Sequence, residues 1–124
     1  MIRSFLDTRG TAAIEFAMTM PVFFMIVFGI IEGGIMLWAQ VGLEHGVQMA
    51  ARCASVNTAV CGSASTIQSY AAQQTDGFNP PASAFTVSTP ACGNLVAASY
   101  KYTFVSFYFS KPSVTLTARS CFPK

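Results

Sequence analysis

Apolar residues are concentrated near the N-terminus of the chain. The stretch from Phe16 to Ile31 carries no charge, and apolar residues continue beyond Glu32 as far as Val41. At about 1.5 Å per residue this uncharged run covers about 24 Å, whereas the hydrocarbon core of a bilayer is about 30 Å thick. The pattern therefore predicts a membrane-spanning helix that includes at least one of Glu15 and Glu32 and crosses to about residue 37.

The helical pattern continues beyond the predicted span. Polar residues recur there at a spacing of four: Gln40, Glu44, Gln48 and Arg52. A second set follows the opposite side: Trp38, Val41, His45, Met49, Cys53 and Val56. We therefore predict one long helix from about Thr11 to about Ser55, with a solvated polar stripe and an amphipathic end that packs on another element. His45 is expected to pack at this surface rather than to act as a ligand.

The rest of the chain predicts a small α+β domain. Residues 57–65 favour a turn, and a short helix is predicted from Ser65, which has the capping-box spacing to Gln68. In that helix Ile67, Tyr70 and Ala71 would face inward. Residues 76–83 contain consecutive prolines, which predict a loop.

Beyond that loop the hydrophobic period changes to two. The inward positions are Phe85 and Val87; Val96, Ala98, Tyr100, Tyr102 and Phe104; and Val114, Leu116 and Ala118. This alternation predicts an antiparallel three-stranded sheet on which the long N-terminal helix packs. The adjacent aromatic residues Phe107, Tyr108 and Phe109 cannot all share one face. They either meet another molecule or the membrane surface, or fold back over the small core.

Composition and charge agree with an anchored, exported protein. Of the 124 residues 52% are hydrophobic and 10% charged, whereas soluble domains contain about 25% charged residues. The net charge of +2 forms no basic patch, so nucleic acid is not an expected partner. Arg3 and Arg9 precede the span and the next basic residue is Arg52. The positive-inside rule therefore predicts a cytoplasmic N-terminus and a periplasmic C-terminal domain.

Four cysteines follow the predicted span, which favours two disulfides in an oxidising compartment. Of the three possible pairings we favour Cys53–Cys61, which would clip the helix end, and Cys92–Cys121, which would join two strands. The alternative of a zinc site lacks a C-x-x-C pair, and His45 is the single histidine. No Ser/His/Asp set or phosphate-binding loop is present, so we expect neither enzymatic activity nor a cofactor or metal.

Glu15 argues against an ordinary secretory signal peptide, because it lies inside the apolar stretch and no small-x-small cleavage site follows. A carboxylate in a membrane helix indicates a functional partner, although a residue near the end of the span can also reach the headgroups. Glu32 either marks the outer membrane surface, which we favour, or pairs with another helix. Gly29 and Gly33 have the G-x-x-x-G spacing that allows close helix packing, although glycine is also simply common in membrane helices.

Two further glycines and one proline also affect the packing and the shape of the predicted helix. Gly42 and Gly46 repeat the G-x-x-x-G spacing after the predicted span. Pro21 lacks an N–H, which predicts a kink or a local loosening of the helix.

The segment "RGTAAIEF" places Gly10 before Thr11 and Glu15 at the fifth position after that junction. It resembles the prepilin processing site of the type IV pilin superfamily. The longer segment "RGTAAIEFAMTMPVFFMIVFGIIEGG" looks like the N-terminus of the TadE-like family, minor pilin-like proteins (pseudopilins) of Tad, or Flp, tight adherence pilus systems. The resemblance is strongest over residues 9–34 and continues loosely into "VQMAARCAS".

This resemblance implies that a prepilin peptidase removes the leader, residues 1–10, and leaves Thr11 as the mature N-terminus. The new amine would then pair with Glu15 of the same chain or of a neighbouring subunit. Residues 11–56 would be the long helix and residues 57–124 the periplasmic domain. Implied partners are other Tad pilins and pseudopilins, the inner-membrane assembly platform and the lipid bilayer. The implied role is pilus assembly for surface adhesion, with an inner-membrane location before assembly and a possible extracellular one in the pilus. The alternative is a permanently anchored periplasmic scaffold or binding protein that never enters a pilus.

Overall fold

The computed structural model describes residues 4–105 and 111–124. In chain order its elements are α1 (Ser4–Val56), α2 (Ala64–Gln73), a 3₁₀ turn (Ala82–Ala84), β1 (Phe85–Ser88), β2 (Asn94–Thr103) and β3 (Ser113–Phe122). The chain forms two compact units, Met1–Gly34 and Ile35–Lys124. The predicted aromatic contact of Phe107, Tyr108 and Phe109 lies outside the described residues.

The long helix is present but begins earlier than predicted. α1 starts at Ser4 rather than near Thr11, so the helix includes residues 4–10 as well as the apolar stretch from which it was predicted. Pro21 lies within the helix, whose secondary structure continues to Val56. Beyond Val56 the amide of Asn57 still donates to the carbonyl of Cys53 at 2.8 Å, and a turn follows.

The start of α2 corrects the predicted cap. The N-cap is Ser63 rather than Ser65: its hydroxyl accepts from the Thr66 amide at 3.3 Å, and the Thr66 hydroxyl accepts from the Ser63 amide at 3.1 Å. This reciprocal pair satisfies two amides that the first turn of the helix leaves open. Gln68, expected to complete the cap, instead donates to the carbonyl of Phe85 at 2.8 Å.

The sheet is an antiparallel meander with the strand order β1-β2-β3. Phe85 of β1 pairs with Ala98 of β2, and Tyr100 of β2 pairs with Leu116 of β3. The predicted inward residues lie on one face, and most of them are buried or half-buried. Gly93, before β2, has φ +124°, and a Cβ there would lie 2.2 Å from the Phe122 carbonyl oxygen, so only glycine fits. The predicted α+β fold is confirmed.

The face by which α1 packs in the Ile35–Lys124 unit differs from the predicted one. Trp38, Val41 and Val56 are 55%, 59% and 73% exposed, whereas Leu43 and Val47 are essentially buried. The contacting stripe consists of small or branched residues: Ala39, Leu43, Val47, Ala50 and Ala54. We attribute the difference to size, because alanine allows the helix axis to approach the sheet more closely than tryptophan does.

Candidate functional site

The first unit presents an apolar surface along α1. From Gly10 to Val56 this helix is long and apolar enough to cross a membrane, and none of its most apolar window is buried. Ile14, Phe16 and Met18 are 63%, 61% and 75% exposed. An exposed apolar surface of this kind is suited to contact with lipid or with other apolar helices.

The predicted processing and pairing residues all lie on α1. Thr11 and Glu15 are four residues apart and therefore share one face of the helix, one turn from each other. Glu15 is exposed, as are its neighbours Ile14 and Phe16. This arrangement places an acidic side chain on an otherwise apolar surface, close to the residue that would become the N-terminus on cleavage after Gly10.

The side chain of Thr19, a residue that its sequence position did not single out, hydrogen-bonds to the turn of α1 that contains Glu15. Its hydroxyl donates to the carbonyl of Glu15 at 2.5 Å and lies 3.4 Å from that of Phe16. Two residues later Pro21 has no N–H to donate to the carbonyl of Ala17. The backbone hydrogen bonding of α1 is therefore altered just after Glu15. A threonine four residues after the glutamate and two before the proline was the available sequence signal.

The two G-x-x-x-G pairs have different surroundings. A Cβ added to Gly42 would lie 2.7 Å from the Thr75 carbonyl oxygen, and one added to Gly46 would lie 2.8 Å from that of Ala71. This pair is therefore needed for packing within the Ile35–Lys124 unit. Gly29 and Gly33 have no atom within 4 Å of such a Cβ. Their side of the helix is open.

Glu32 is buried, with 7% of its surface exposed, whereas Ile30 and Ile31 before it are 69% and 53% exposed. Its side chain is therefore covered by the protein itself, and its position at the outer membrane surface stays a prediction.

The cysteines form the two disulfides that we favoured among three possible pairings. Cys53 and Cys61 have Cα atoms 5.8 Å apart, and Cys92 and Cys121 have Cα atoms 6.3 Å apart. The first closes the turn after α1, and the second joins the segment before β2 to the end of β3. The described residues contain no free cysteine.

His45 contacts the loop after α2. Its Nδ1 atom lies 2.9 Å from the carbonyl oxygen of Gln74 and 3.4 Å from a carboxylate oxygen of Asp76. The expected packing role of this histidine agrees with its half-buried position. Within residues 4–105 and 111–124 no group of three His, Cys, Asp or Glu side chains is arranged to hold a metal ion.

The elements together define an α+β protein whose first helix is long and apolar enough to cross a membrane. Residues 10–52 match the model of the TadE-like protein family. This match lies entirely within α1, begins at the predicted processing glycine and does not extend over the sheet. No curated protein and no solved structure matches the chain.

Proposed function

We propose that the chain is a minor pilin-like subunit, or pseudopilin, that acts in the assembly of a Tad (Flp) type IV pilus for surface adhesion and biofilm formation. The observation that carries the proposal is the match of residues 10–52 to the TadE-like family. The exposed apolar surface of α1 supports it, because a subunit that moves from lipid into a helical bundle needs such a surface.

In this proposal a prepilin peptidase cuts after Gly10 on the cytoplasmic side of the inner membrane. The Thr11 amine then lies about one helical turn from Glu15, near enough for its positive charge to offset the carboxylate. In an assembled bundle, Glu15 pairs instead with the amine of a neighbouring subunit. Either pairing lowers the cost of a charge on an apolar helix.

The same helix supplies the contact surface between subunits. The open side at Gly29 and Gly33 allows another pilin helix to approach closely, since no atom stands in front of either glycine. The partners of this surface are other Tad pilins and pseudopilins, and the assembly platform in the inner membrane transfers the subunit to them.

The experiment determines the mature N-terminus by mass spectrometry after expression with and without the Tad prepilin peptidase. We expect Thr11 as the first residue only when the peptidase is present. Gly10→Val should block cleavage, whereas Ala12→Val, which places the same side chain two residues away, should not. An intact Met1 in cells that contain active peptidase would favour the permanently anchored periplasmic scaffold.

A second measurement in the same cells tests the role of Glu15. Glu15→Gln should reduce pilus number while leaving membrane insertion and cleavage unchanged, because the neutral side chain cannot pair with an amine. Asp76→Asn removes an exposed carboxylate outside the apolar helix and should leave pilus number unchanged. Normal piliation of Glu15→Gln would exclude the charge pairing but not the cleavage.

A further inference from the structure

β3 is a ten-residue strand at the edge of the sheet. The strand order β1-β2-β3 gives it a hydrogen-bonded neighbour, β2, on one side. Edge strands of this length expose rows of N–H and C=O groups that can pair with another chain, and proteins usually shorten, cover or interrupt them. β3 contains no proline, and Arg119 is its one charged residue.

Two hydrogen bonds show which backbone groups face outward. The amide of Phe104, just after β2, donates to the carbonyl of Pro112 at 3.0 Å, so this carbonyl faces β2. The carbonyl of Thr117 accepts from the side chain of Gln40 at 3.0 Å and therefore faces away. Because the direction alternates along an antiparallel strand, the N–H and C=O groups of Thr115, Thr117 and Arg119 all face outward.

The opposite edge strand of the sheet, β1, is short and exposes fewer backbone groups. β1 has four residues, and the side chain of Gln68 donates to its Phe85 carbonyl. Gln40 provides the same kind of cap to β3, but it covers one carbonyl of a strand more than twice as long. Among the described residues, Gln40 is the one hydrogen-bond partner of the outward groups of Thr115, Thr117 and Arg119.

A groove of about 690 Å³ lies beside these outward groups. Glu44, Val47 and Gln48 of α1 form one wall, and Ala98, Thr117 and Arg119 of the sheet form part of the other. Thr115, Thr117 and Arg119 are exposed. An additional strand thus has hydrogen-bonding groups and room for its side chains, provided that it displaces the Gln40 side chain from the Thr117 carbonyl.

We propose that the β3 edge binds an extended acidic segment of another protein as a fourth strand. Alternate side chains of that segment would lie on the outer sheet face, where Lys101 and Arg119 are exposed and where the three strands contribute no Asp or Glu. The other side chains would be small and uncharged, because the groove wall combines the Glu44 carboxylate and the Gln48 amide with the apolar Val47 and Ala98. This mode of recognition is strand addition, and it does not rest on the proposed pilus function.

Charge disfavours a second copy of this chain as the occupant. The side-chain amide of Gln40 donates both to the Thr117 carbonyl and to the Glu44 carboxylate, the latter at 2.9 Å, so Glu44 lies near the β3 edge. A two-fold pairing of β3 with itself about Thr117 would bring two copies of Glu44 together. A pairing about Arg119 would place two arginines opposite each other, and like charges in such positions are destabilising.

The experiment uses the full chain in detergent micelles and the synthetic peptide Val-Thr-Val-Asp-Val-Thr-Val, in which Asp and Thr share one face and the valines share the other. Amide hydrogen exchange is measured by NMR before and after peptide addition. We expect the amides of Thr115, Thr117 and Arg119 to exchange at least about tenfold more slowly with peptide bound. Leu116 and Ala118, whose amides already face β2, should change little.

Two control peptides separate strand pairing from charge. A peptide N-methylated at the residues that face β3 cannot donate the new hydrogen bonds and should bind about tenfold more weakly. A peptide with Lys in place of Asp should bind about threefold more weakly, as expected for a surface charge pair. Arg119→Gln should weaken binding of the Asp peptide by a similar factor, and Lys101→Gln, one strand further from the edge, should weaken it less.

A variant pair tests the edge itself. Thr117→Pro removes an outward N–H without removing a bond to β2, and it should abolish peptide protection; Thr117→Val keeps the N–H and should retain it. The proposal is overturned if the Asp peptide fails to protect the three outward amides or if the N-methylated peptide protects them equally. It is also overturned if the amides become protected on self-association without peptide, which would assign the edge to a second copy.

Discussion

At the scale of single residues, spacing alone does not distinguish the two glycine pairs of α1. Gly42 and Gly46 stand against the backbone of Thr75 and Ala71, whereas the pair at Gly29 and Gly33 faces open space. Glycine at the first two positions is required by a close approach within the folded domain. At the second two positions only a contact outside the chain would require it.

We therefore expect Gly42→Ala to lower the free energy of unfolding of the C-terminal unit by about 1–3 kcal/mol, because the added methyl overlaps the Thr75 carbonyl. Gly33→Ala should leave this free energy unchanged, since nothing lies near its Cβ. Urea unfolding in detergent, followed by near-UV circular dichroism, measures both variants. Equal stabilities would show that Thr75 moves away without cost.

At the scale of elements, the strands could be predicted from the sequence, whereas the packing face of α1 could not. One face of the sheet is buried, so apolar and polar residues alternate with a clear period of two. α1 has apolar residues on several sides, and the buried side is the one with alanines rather than the one with Trp38. A pattern of hydrophobicity therefore could not select the face, because side-chain size decided it.

The N-cap of α2 could not be located from the sequence either, because serine and threonine are abundant near the start of this helix. Ser63 and Ser65 both have suitable hydroxyls, but only Ser63 has the extended backbone and the reciprocal partner Thr66 of a capping box. We expect Ser63→Ala to lower the free energy of unfolding by about 1 kcal/mol. Ser65→Ala, inside the helix, should change it by less than about half that amount, as is usual for exposed sites. Thermal unfolding of both variants provides the comparison. A larger loss of stability for Ser65→Ala than for Ser63→Ala would contradict the assignment of Ser63 as the N-cap.

At the scale of the whole molecule, the features that support the proposed function could be predicted from the sequence because their residues lie close together in the chain. The apolar stretch, Gly10 and Glu15 lie close together in one helix and need no tertiary contacts to be recognised. The open edge of β3 and the groove beside it arise from residues far apart in the chain, such as Gln40 and Thr117. No spacing rule connects such residues, so these features required the structure.

The two disulfides should differ in how much they stabilise the Ile35–Lys124 unit. Cys53–Cys61 spans 8 residues and Cys92–Cys121 spans 29. Loop entropy in the unfolded chain predicts a stabilisation of about 2.5 kcal/mol for the first and about 3.5 kcal/mol for the second. Paired Cys→Ala variants measured by urea unfolding test this order. Non-reducing peptide mapping of the unaltered protein checks the connectivity, and Cys53 joined to Cys92 or Cys121 would contradict it.

The early start of α1 affects the cleavage that we propose. The peptide bond after Gly10 lies inside α1, and local opening of the helix would expose that bond to a peptidase; glycine makes the opening easier by about 1 kcal/mol relative to alanine. After the cut, the helix would begin at Thr11 instead of Ser4. The positive end of the helix dipole would then lie within one turn of Glu15, where an acidic side chain is stabilised. Removal of the leader would thus relocate the partial charge of the helix terminus as well as create an amine, and both positive charges would lie within about one turn of the Glu15 carboxylate.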